Sequence, residues 1–406
     1  MPEPDPVADW ARCGAMALTG RADGPPLVAP GRPATTLLNH LEQVRRNAVV
    51  RTGWPPALPG CELLGERAAI AGFSRRGPWS CGAAFRAVPT TDGWFGLSLA
   101  RDDDVVLVPA LVEHETVDSA WEAIEAWAAG ITTAEAVARA RLLDLPCAAW
   151  PPETGTRPGV LVEQGGRHQP AERPLIVDLT SLWAGPLCAH LLGLTGCVVV
   201  KVESWQRPDG TRRGPSRFFD LLHGGHSSVA VDFTDPHDRD RLVGLMQRAD
   251  LVLEGSRARA LRRLGIIAED LVASGTSWLS ITARGRDSEA VGFGDDVAVA
   301  AGLAIQQGRD LLPAGDALAD PLTGVAAAAA ASEALLADNA VLVDVSMLDV
   351  AREAVTGPPE PHTVWRDDGA WWVESVSGRH LVAGPAARAP HGRGPGLGAD
   401  NEAWLR

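Results

Sequence analysis

The sequence predicts an α/β fold: a doubly wound parallel-sheet large domain plus a smaller α+β domain. Residues 174–203 read as an apolar strand, a small-residue turn with a proline, a short amphipathic helix and a second apolar strand. Strands and helices then alternate as far as residue 282, and crossover helices between closely spaced strands are typical of parallel sheets. A chain of 406 residues that is 46% hydrophobic can bury a large core and divide into two or more domains.

The predicted strands of the large domain are short apolar runs, each followed by a predicted helix. The strands are expected at 175–179, 197–203, 228–233, 250–254 and 277–282. The helices are expected at about 185–194, 237–248, 258–264 and 268–273. Farther along, the pattern predicts an alanine-rich helix over 324–337, then a strand and a helix within 341–355. The first βα turn lacks a G-x-G-x-x-G fingerprint, which disfavours NAD binding.

The first half of the chain predicts a second, smaller unit. Residues 90–112 predict a strand pair that turns at Asp92-Gly93. Residues 121–150 predict two helices and an exit strand, with a capping box from Thr132 to Glu135 between the helices. We therefore expect four segments. They are an N-terminal strap that packs back on the large domain (1–74), a small α+β domain (75–150), a Pro/Gly/Arg-rich linker (151–170) and the large domain (171–406).

Composition excludes several classes of function. The net charge of −14 disfavours nonspecific binding to nucleic acid or anionic membranes. The six cysteines form no C-x-x-C pair and no zinc spacing with histidine, so reduced thiols and no metal are expected. The first fourteen residues lack the basic and apolar regions of a signal peptide, and the alanine run is too short for a membrane span. We therefore expect a cytoplasmic protein.

Two stretches of the chain resemble the family III CoA-transferases, the CaiB/BaiF group that includes carnitine dehydratase and formyl-CoA transferase. The family opens with V-L-D-L-[ST]-x-x-x-A-G-P and V-I-K-V-E, and this chain has VDLTSLWAGP and VVKVE within 174–203. Its lone aspartate lies four residues before a glycine, as Asp320 does before Gly324. VDVSMLDV and TTDGWF resemble two further family segments. The small-domain segments follow the aspartate in the family but precede it here, so the resemblance is permuted.

The resemblance implies an enzyme that transfers CoA between an acyl-CoA and a free carboxylic acid. In such a reaction Asp320 attacks the thioester to form a mixed anhydride, and the released thiolate then attacks back. The same residue also fits an N-cap of the alanine-rich helix, with Pro321 at the first helical position. Two alternatives stay open: a CoA-ester dehydratase or racemase on the same scaffold, and a diverged CoA-binding homologue without catalysis. The resemblance further implies a homodimer, since members of the family form interlocked dimers.

The resemblance also implies a CoA site at the carboxyl ends of the parallel strands, where open α/β sheets bind ligands. Guanidinium groups suit its phosphates. The candidate CoA-binding residues are Trp183, Ala184, Gly185, Lys201, Arg212, Arg213, Arg257 and Arg262. Arginines at 217, 259 and 263 lie in the same two clusters.

Four other features carry weaker signals. Asp295 stands where family racemases have a histidine, which disfavours two-base racemisation. Asp295 and Asp296 also suit a helix N-terminus. A glycine-containing stretch at 74–87 faintly resembles a family loop that closes over the thioester. His223 and His226 are interpreted as loop residues.

The chain also contains an internal echo. Residues 14–36 and 302–320 share a G-x5-G step followed by a proline-containing approach to a second glycine, Gly31 or Gly315. Five residues beyond that glycine the first copy has Thr36 and the second has Asp320. The first copy therefore looks like a degenerate version of the catalytic segment, with chance similarity in an Ala/Gly/Pro-rich chain as the alternative.

Overall fold

The large sheet of the protein follows the βα pattern of its sequence. The structure is a computed structural model that describes residues 5–152, 154–155, 157–168, 171–256, 258–357 and 360–406. The N-terminal segment is helical, with α1 (Pro6–Arg12), α2 (Ala15–Leu18), α3 (Pro33–Thr52) and α4 (Glu66–Ala71). The small unit comprises β1 (Phe85–Pro89), β2 (Trp94–Ser98), α5 (Asp102–Val106), α6 (Val108–Val112), α7 (Ala120–Ala128), α8 (Thr133–Leu142) and β3 (Cys147–Trp150).

The remainder of the chain builds the large sheet, its covering helices and two small sheets. Its first elements are β4 (Val160–Arg167), β5 (Leu175–Asp178), α9 (Ala184–Leu194), β6 (Val198–Ser204), α10 (Ser216–His223), β7 (Ser227–Val231), α11 (Pro236–Gln247), β8 (Leu251–Glu254), α12 (Ala258–Arg263), α13 (Ala268–Ala273) and β9 (Ser277–Thr282). They are followed by α14 (Gly294–Ala301), β10 (Ala304–Gln307), β11 (Asp310–Pro313), α15 (Ala319–Ala334), β12 (Asn339–Ser346), α16 (Met347–Val355), β13 (Thr363–Asp367), β14 (Ala370–Ser375), β15 (Gly378–Leu381) and α17 (Asn401–Trp404).

The large sheet has seven strands in the order β4-β12-β9-β8-β5-β6-β7. The strands from β12 to β7 run parallel, whereas β4 pairs antiparallel with β12 at one edge. The five predicted strands all lie in its parallel part, which confirms the predicted fold class. Residues 160–167, which the sequence analysis assigns to a linker, form the edge strand β4.

The small unit has the predicted turn at Asp92-Gly93 and the two predicted helices, but the strand pair predicted over 90–112 is wrong in its bounds, because the hairpin is β1–β2 and the residues after β2 form α5 and α6. Strands β1, β2 and β3 form an antiparallel sheet, and Thr90 N–H donates to the Gly93 carbonyl across the turn at 2.9 Å. The capping box predicted between α7 and α8 is present, because the Thr132 and Glu135 side chains each bond the other residue's backbone N–H.

Two hydrophobic layers cover the large sheet, one on each face. Helix α15 lies in the first layer and packs against α9 on one side and α3 on another. It is apolar almost all round, as expected of a helix buried inside a core. Its alanines bring the neighbouring helices close. Leu37 of α3, Leu187 of α9 and Ala328 of α15 are all fully buried in this one core, so the N-terminal strap shares the core of the large domain.

Candidate active site

The two stretches that the sequence analysis singles out meet in the structure. Gly324 of α15 faces the start of α9, and a Cβ at Gly324 would lie 2.6 Å from the Ala184 carbonyl oxygen. Gly185 is equally constrained, because a Cβ there would lie 2.2 Å from the Thr180 side chain. Gly324 therefore allows α15 to pack closely on α9, and Gly185 allows α9 to begin directly against the turn at Thr180. This contact sets the first turn of α15 beside the turn that follows β5.

Asp320 is the second residue of α15, and its N–H donates to the Ala317 carbonyl at 2.9 Å. The helix begins at Ala319 with Leu318 as its N-cap residue, so the predicted N-cap role of Asp320 is wrong. The N-cap residue lies two residues earlier than predicted, and Ala317, which precedes it, has a positive φ of 45°. Pro321 still lies in the first turn, where its missing N–H removes no helical hydrogen bond.

Asp320 is a half-buried residue at the edge of a buried acidic cluster. Burial raises the pKa of Asp320 to about 7, while Arg67 opposes that rise and the charges of Asp295 and Asp316 add to it. The Gly294 N–H bonds the carboxylate and favours its ionised form. A Cβ at Gly294 would lie 2.3 Å from the Asp320 Oδ2, so this close approach requires glycine.

The guanidinium of Arg67 in α4 contacts this acidic cluster through Asp316. Its Nε lies 3.0 Å from Asp316 Oδ2 and its Nη2 lies 2.5 Å from Asp316 Oδ1, which is bidentate geometry. The guanidinium also stacks on aromatic rings, 5.2 Å from the Trp183 centroid and 5.7 Å from that of Phe73. Sequence reasoning missed Arg67, because a single arginine in a short helix about 250 residues before Asp316 carries no local signal.

Asp295 and Asp316 lie behind Asp320 and are held by hydrogen bonds. Asp295 Oδ1 accepts from the Ala317 N–H at 2.9 Å and its carboxylate also bonds Ser80. Burial, followed by the charge of Asp316, raises the pKa of Asp295 to about 6. Cys81 donates to the Gly315 carbonyl at 3.3 Å. The 74–87 stretch, predicted as a weak loop signal, therefore packs against the acidic cluster through Ser80 and Cys81.

The carboxylate of Asp296 makes its hydrogen bonds at the start of α14 and with β2. Its Oδ1 accepts from the Phe293 N–H at 3.0 Å and from Ser98 Oγ at 2.8 Å. The predicted helix N-terminus at Asp295-Asp296 is confirmed, because α14 begins at Gly294. Burial raises the pKa of Asp296 to about 7. Since Ser98 belongs to β2, this carboxyl group ties the small unit to the helix that flanks Asp320.

The predicted role of Lys201 as a CoA-binding residue needs correction. Its side chain has no exposure to solvent, and its Nζ donates to Asp209 Oδ2 at 3.0 Å and to the Thr180 carbonyl. Asp178 Oδ2 lies 3.8 Å from the same atom. A phosphate cannot reach this ammonium without breaking its buried partners, so Lys201 braces the loops after β5 and β6.

The second correction concerns Arg212. Its Nε and Nη2 bond the Glu203 carboxylate at 2.8 and 2.5 Å, its Nη1 donates to the Pro395 carbonyl at 3.0 Å, and its guanidinium lies 4.2 Å from the Phe219 ring centroid. All three of its nitrogens are therefore engaged within the protein. Arg213 is exposed and makes no hydrogen bond or ion pair with any other described residue, so it stays a candidate for phosphate contact.

The remaining predicted CoA-binding residues follow two different strands, β5 and β8. Trp183 and Ala184 are buried, with the Trp183 ring edge-on to Phe218 at 5.6 Å. Arg262 is exposed on α12, where its Nη2 pairs with Glu269 at 3.0 Å. Arg257 lies outside the described residues. Of the two predicted CoA-binding arginines that follow β8, the structure therefore describes Arg262, which already pairs with Glu269.

Of the two histidines interpreted as loop residues, His226 lies in the loop between α10 and β7, whereas His223 is the last residue of α10. His223 is fully buried, and its ring lies 5.6 Å from that of His226. Burial lowers the pKa of His226 to about 4. The His226 ring also lies 6.3 Å from that of His190 in α9.

Comparison with known proteins shows what the segment around this site resembles. Residues 174–360, a little under half of the chain, match the family described as CoA-transferase family III. The matched segment contains the turn at Trp183, the ion pair of Lys201 and the acidic cluster with Asp320. Among the helices of the described residues, none is long and apolar enough to cross a membrane.

The chain is similar to several proteins over limited stretches. It is 29% identical over 163 residues to a succinyl-CoA:mesaconate CoA-transferase of Haloarcula hispanica, covering 37% of each chain. It is 34% identical over 98 residues to an acyl-CoA transferase of Gibberella moniliformis, covering 23% of this chain and 16% of that protein. It is 29% identical over 103 residues to a formyl-CoA:oxalate CoA-transferase of Afipia carboxidovorans, covering 24% of each. The chain thus spans about a third or less of the length of these relatives.

Two solved structures were also found to be similar. A hypothetical protein of Mycobacterium tuberculosis superposes with a TM-score of 0.44 at 26% identity, covering 50% of this chain and 64% of that chain. A CaiB/BaiF family protein of Brucella suis superposes with a TM-score of 0.44 at 20% identity, covering 52% of this chain and 66% of that chain.

Proposed function

We propose that the protein transfers CoA between an acyl-CoA thioester and a free carboxylic acid, with Asp320 as the covalent nucleophile. The observation that carries this proposal is the position of Asp320. It is a half-buried aspartate in the first turn of a buried helix, against the Gly294 N–H, within the segment that matches CoA-transferase family III. A carboxylate needs no deprotonating partner to attack a thioester, only ionisation and a position beside the carbonyl carbon.

The proposed reaction balances in two symmetrical halves. Asp320 attacks the carbonyl carbon of the donor thioester and expels the CoA thiolate, which forms a mixed anhydride. The thiolate then attacks the Asp320 acyl carbon, which releases the donor acid and leaves an aspartyl-CoA thioester. The acceptor carboxylate attacks that thioester and expels the thiolate to give a second anhydride. Attack of the thiolate on the acceptor acyl carbon yields the new acyl-CoA and regenerates the Asp320 carboxylate.

The environment of Asp320 supports this chemistry electrostatically. Helix α15 points its amino-terminal end at the site, and the partial positive charge of that end stabilises developing negative charge. A pKa of about 7 leaves a substantial ionised fraction at neutral pH and makes the ionised carboxylate of Asp320 more nucleophilic than a carboxylate of ordinary pKa. Arg67 keeps that pKa from rising further.

The acyl-CoA is the substrate in this proposal, and Arg213 is the candidate contact for its phosphates among the described residues. A homodimer and a cytoplasmic location also belong to the proposal. Two-base racemisation is disfavoured, because the carboxylate of Asp295 is buried and accepts hydrogen bonds from Ala317 and Ser80. The alternative is a CoA-binding homologue without catalysis.

Intact-mass spectrometry after incubation with a panel of acyl-CoAs tests the proposal. We expect the wild type to gain the mass of a CoA thioester that hydroxylamine removes, and Asp320→Asn to gain nothing. Transfer rates of Asp320→Asn should fall by several orders of magnitude, because an amide oxygen is a poor nucleophile toward a thioester. Asn does not change the helix cap, so circular dichroism should show an unchanged fold.

Asp310→Asn is the matched control, because Asp310 is another half-buried aspartate that pairs with Arg21 away from the cluster. It should form the adduct normally. If Asp320→Asn retains transfer within tenfold of the wild type, the nucleophile is another group. If the wild type binds CoA but forms no adduct with any ester, the homologue without catalysis is the better description.

A further inference from the structure

The acidic cluster carries an excess of negative charge beside the proposed nucleophile. Asp295, Asp316 and Asp320 all interact electrostatically with one guanidinium, that of Arg67. Asp316 is fully buried and holds Arg67 by two hydrogen bonds, so its negative charge largely cancels the positive charge of that side chain. The negative charges of Asp320 and of the buried Asp295 behind it remain as the excess charge of the cluster.

A second arginine near this end of the site is neutralised in the same way. The Arg101 guanidinium lies 5.5 Å from the ring centroid of Phe293, the residue before Gly294. Its Nε and Nη2 bond the fully buried carboxylate of Asp104 at 2.9 and 2.5 Å. Arg67 and Arg101 are therefore each already matched to a buried carboxylate.

The other described neighbours of Arg67 and Asp320 that the structure brings into contact with them include uncharged groups. Phe73 and Phe293 are half-buried aromatic residues next to Arg67 and Gly294, and Ala317 and Gly294 contribute only backbone and a methyl group. A second carboxylate on a ligand would lose its hydration here and meet like charges without a cation to compensate. An uncharged chain would instead lie against aromatic and aliphatic surface.

We propose that the acid accepted at this site has a single carboxyl group and an uncharged remainder. The inference rests on the proposed function and narrows its substrate class. It separates this chain from the relatives named for succinate, mesaconate and oxalate, which are all dicarboxylates. The discriminating feature is the Asp316–Arg67 pair, which removes the cation that a second carboxylate would need.

The test uses the full chain and three acceptors of similar length: butyrate, succinamate and succinate. Succinamate replaces one carboxylate of succinate by a neutral amide of nearly equal size. With acetyl-CoA as common donor and product acyl-CoA measured by mass spectrometry, kcat/KM for butyrate and succinamate should agree within about tenfold. The value for succinate should be at least about 100-fold lower than for succinamate.

Asp316→Asn supplies the second arm, because it removes one negative charge and releases the guanidinium of Arg67. The ratio of kcat/KM for succinate over succinamate should rise at least about tenfold in this variant, while Asp310→Asn should leave it unchanged. If Asp316→Asn fails to fold, the ratio of kcat/KM for succinate over succinamate in the wild type still tests the inference. A wild-type ratio near one or above overturns the inference and leaves CoA transfer standing. Absence of transfer to all three acids, with no CoA adduct on Asp320, overturns both.

Discussion

Asp295 is buried behind Asp320 and acts on it through its charge. This negative charge raises the pKa of Asp320, so removal of the charge should lower the pKa. In the proposed reaction Asp320 must be ionised to attack, so activity should be lost as pH falls through its pKa. In Asp295→Asn the acid limb of the kcat/KM profile should move down by about half to one pH unit, which corresponds to about 1 kcal/mol. Kinetics between pH 5 and 9 measure the shift.

Asp296→Asn is the control for that profile. Asp296 is equally buried, but its carboxyl group faces Ser98 and the Phe293 N–H rather than Asp320. Its replacement should leave the acid limb in place. An acid limb that stays fixed in Asp295→Asn, or that moves as far in Asp296→Asn, would mean that the acid limb does not report the ionisation of Asp320.

At the scale of single residues, the sequence predicted Asp320 through its spacing from Gly324, and it predicted the helix N-terminus at Asp295. It did not predict Arg67, because the contact between Arg67 and Asp316 exists only after two distant segments pack together. It also assigned Lys201 and Arg212 to a ligand, although both have protein partners. A pattern of basic residues after a strand cannot distinguish a phosphate site from a buried ion pair whose acidic partners lie in neighbouring loops.

The contact of α9 with α15 gives a prediction at the scale of elements. A Cβ at Gly324 would lie 2.6 Å from the Ala184 carbonyl and 3.0 Å from the Leu187 side chain, so Gly324→Ala must push the helices apart. Overpacking of this kind costs about 1–3 kcal/mol, partly offset by the higher helix propensity of alanine. We expect a net loss of about 1–2 kcal/mol in urea unfolding, with lower activity because α15 carries Asp320.

Gly244→Ala is the matched control, since Gly244 also lies within a helix, α11, and a Cβ there would meet only the Arg248 guanidinium at 3.7 Å. This change should stabilise the protein by about 0.5–1 kcal/mol. Equal effects of both substitutions, in either direction, would show that close helix packing at Gly324 is not what requires glycine.

The accuracy of the element predictions follows from burial. Strands β5 to β9 are short apolar runs buried on both faces, and their pattern in the sequence is unambiguous. Strand β4 was not predicted, because five successive residues of this edge strand are exposed and two glycines interrupt it. The sheet β13–β15 was missed as well, since most of its residues are only partly buried. Strands that lie at an edge lack the pattern on which sequence-based prediction depends.

At the scale of the whole molecule, the N-terminal strap and the large domain form one cooperative unit. Residues Trp10 and Leu37 lie in the same core as α9 and α15. We therefore expect residues 151–406 expressed alone to expose one side of α15 and to aggregate or unfold. Co-expression with residues 1–150 should restore a soluble complex, measured by size-exclusion chromatography and thermal unfolding. A stable, monodisperse 151–406 fragment with the thermal midpoint of the full chain would contradict this.

The internal echo has a structural counterpart at the same scale. Helix α1 leads through a left-handed Gly14 to α3, much as α14 leads through a left-handed Gly302 to α15. Gly31 and Gly315 both have a positive φ, 71° and 63°, shortly before the second helix. The sequence indicated this correspondence through glycine spacing. It could not indicate that α3 and α15 pack against each other, because helix pairing depends on the three-dimensional path of the chain.

The complete burial of Lys201 has a practical consequence for chemical labelling. It is the only lysine of the sequence, and its side chain has no exposure to solvent. Reagents that acylate ε-amino groups should therefore leave this side chain unmodified in the native protein and reach it only when the loops after β5 and β6 open. The extent of acylation at this one position, read by peptide mass, would count opening events of the sheet's carboxyl edge directly.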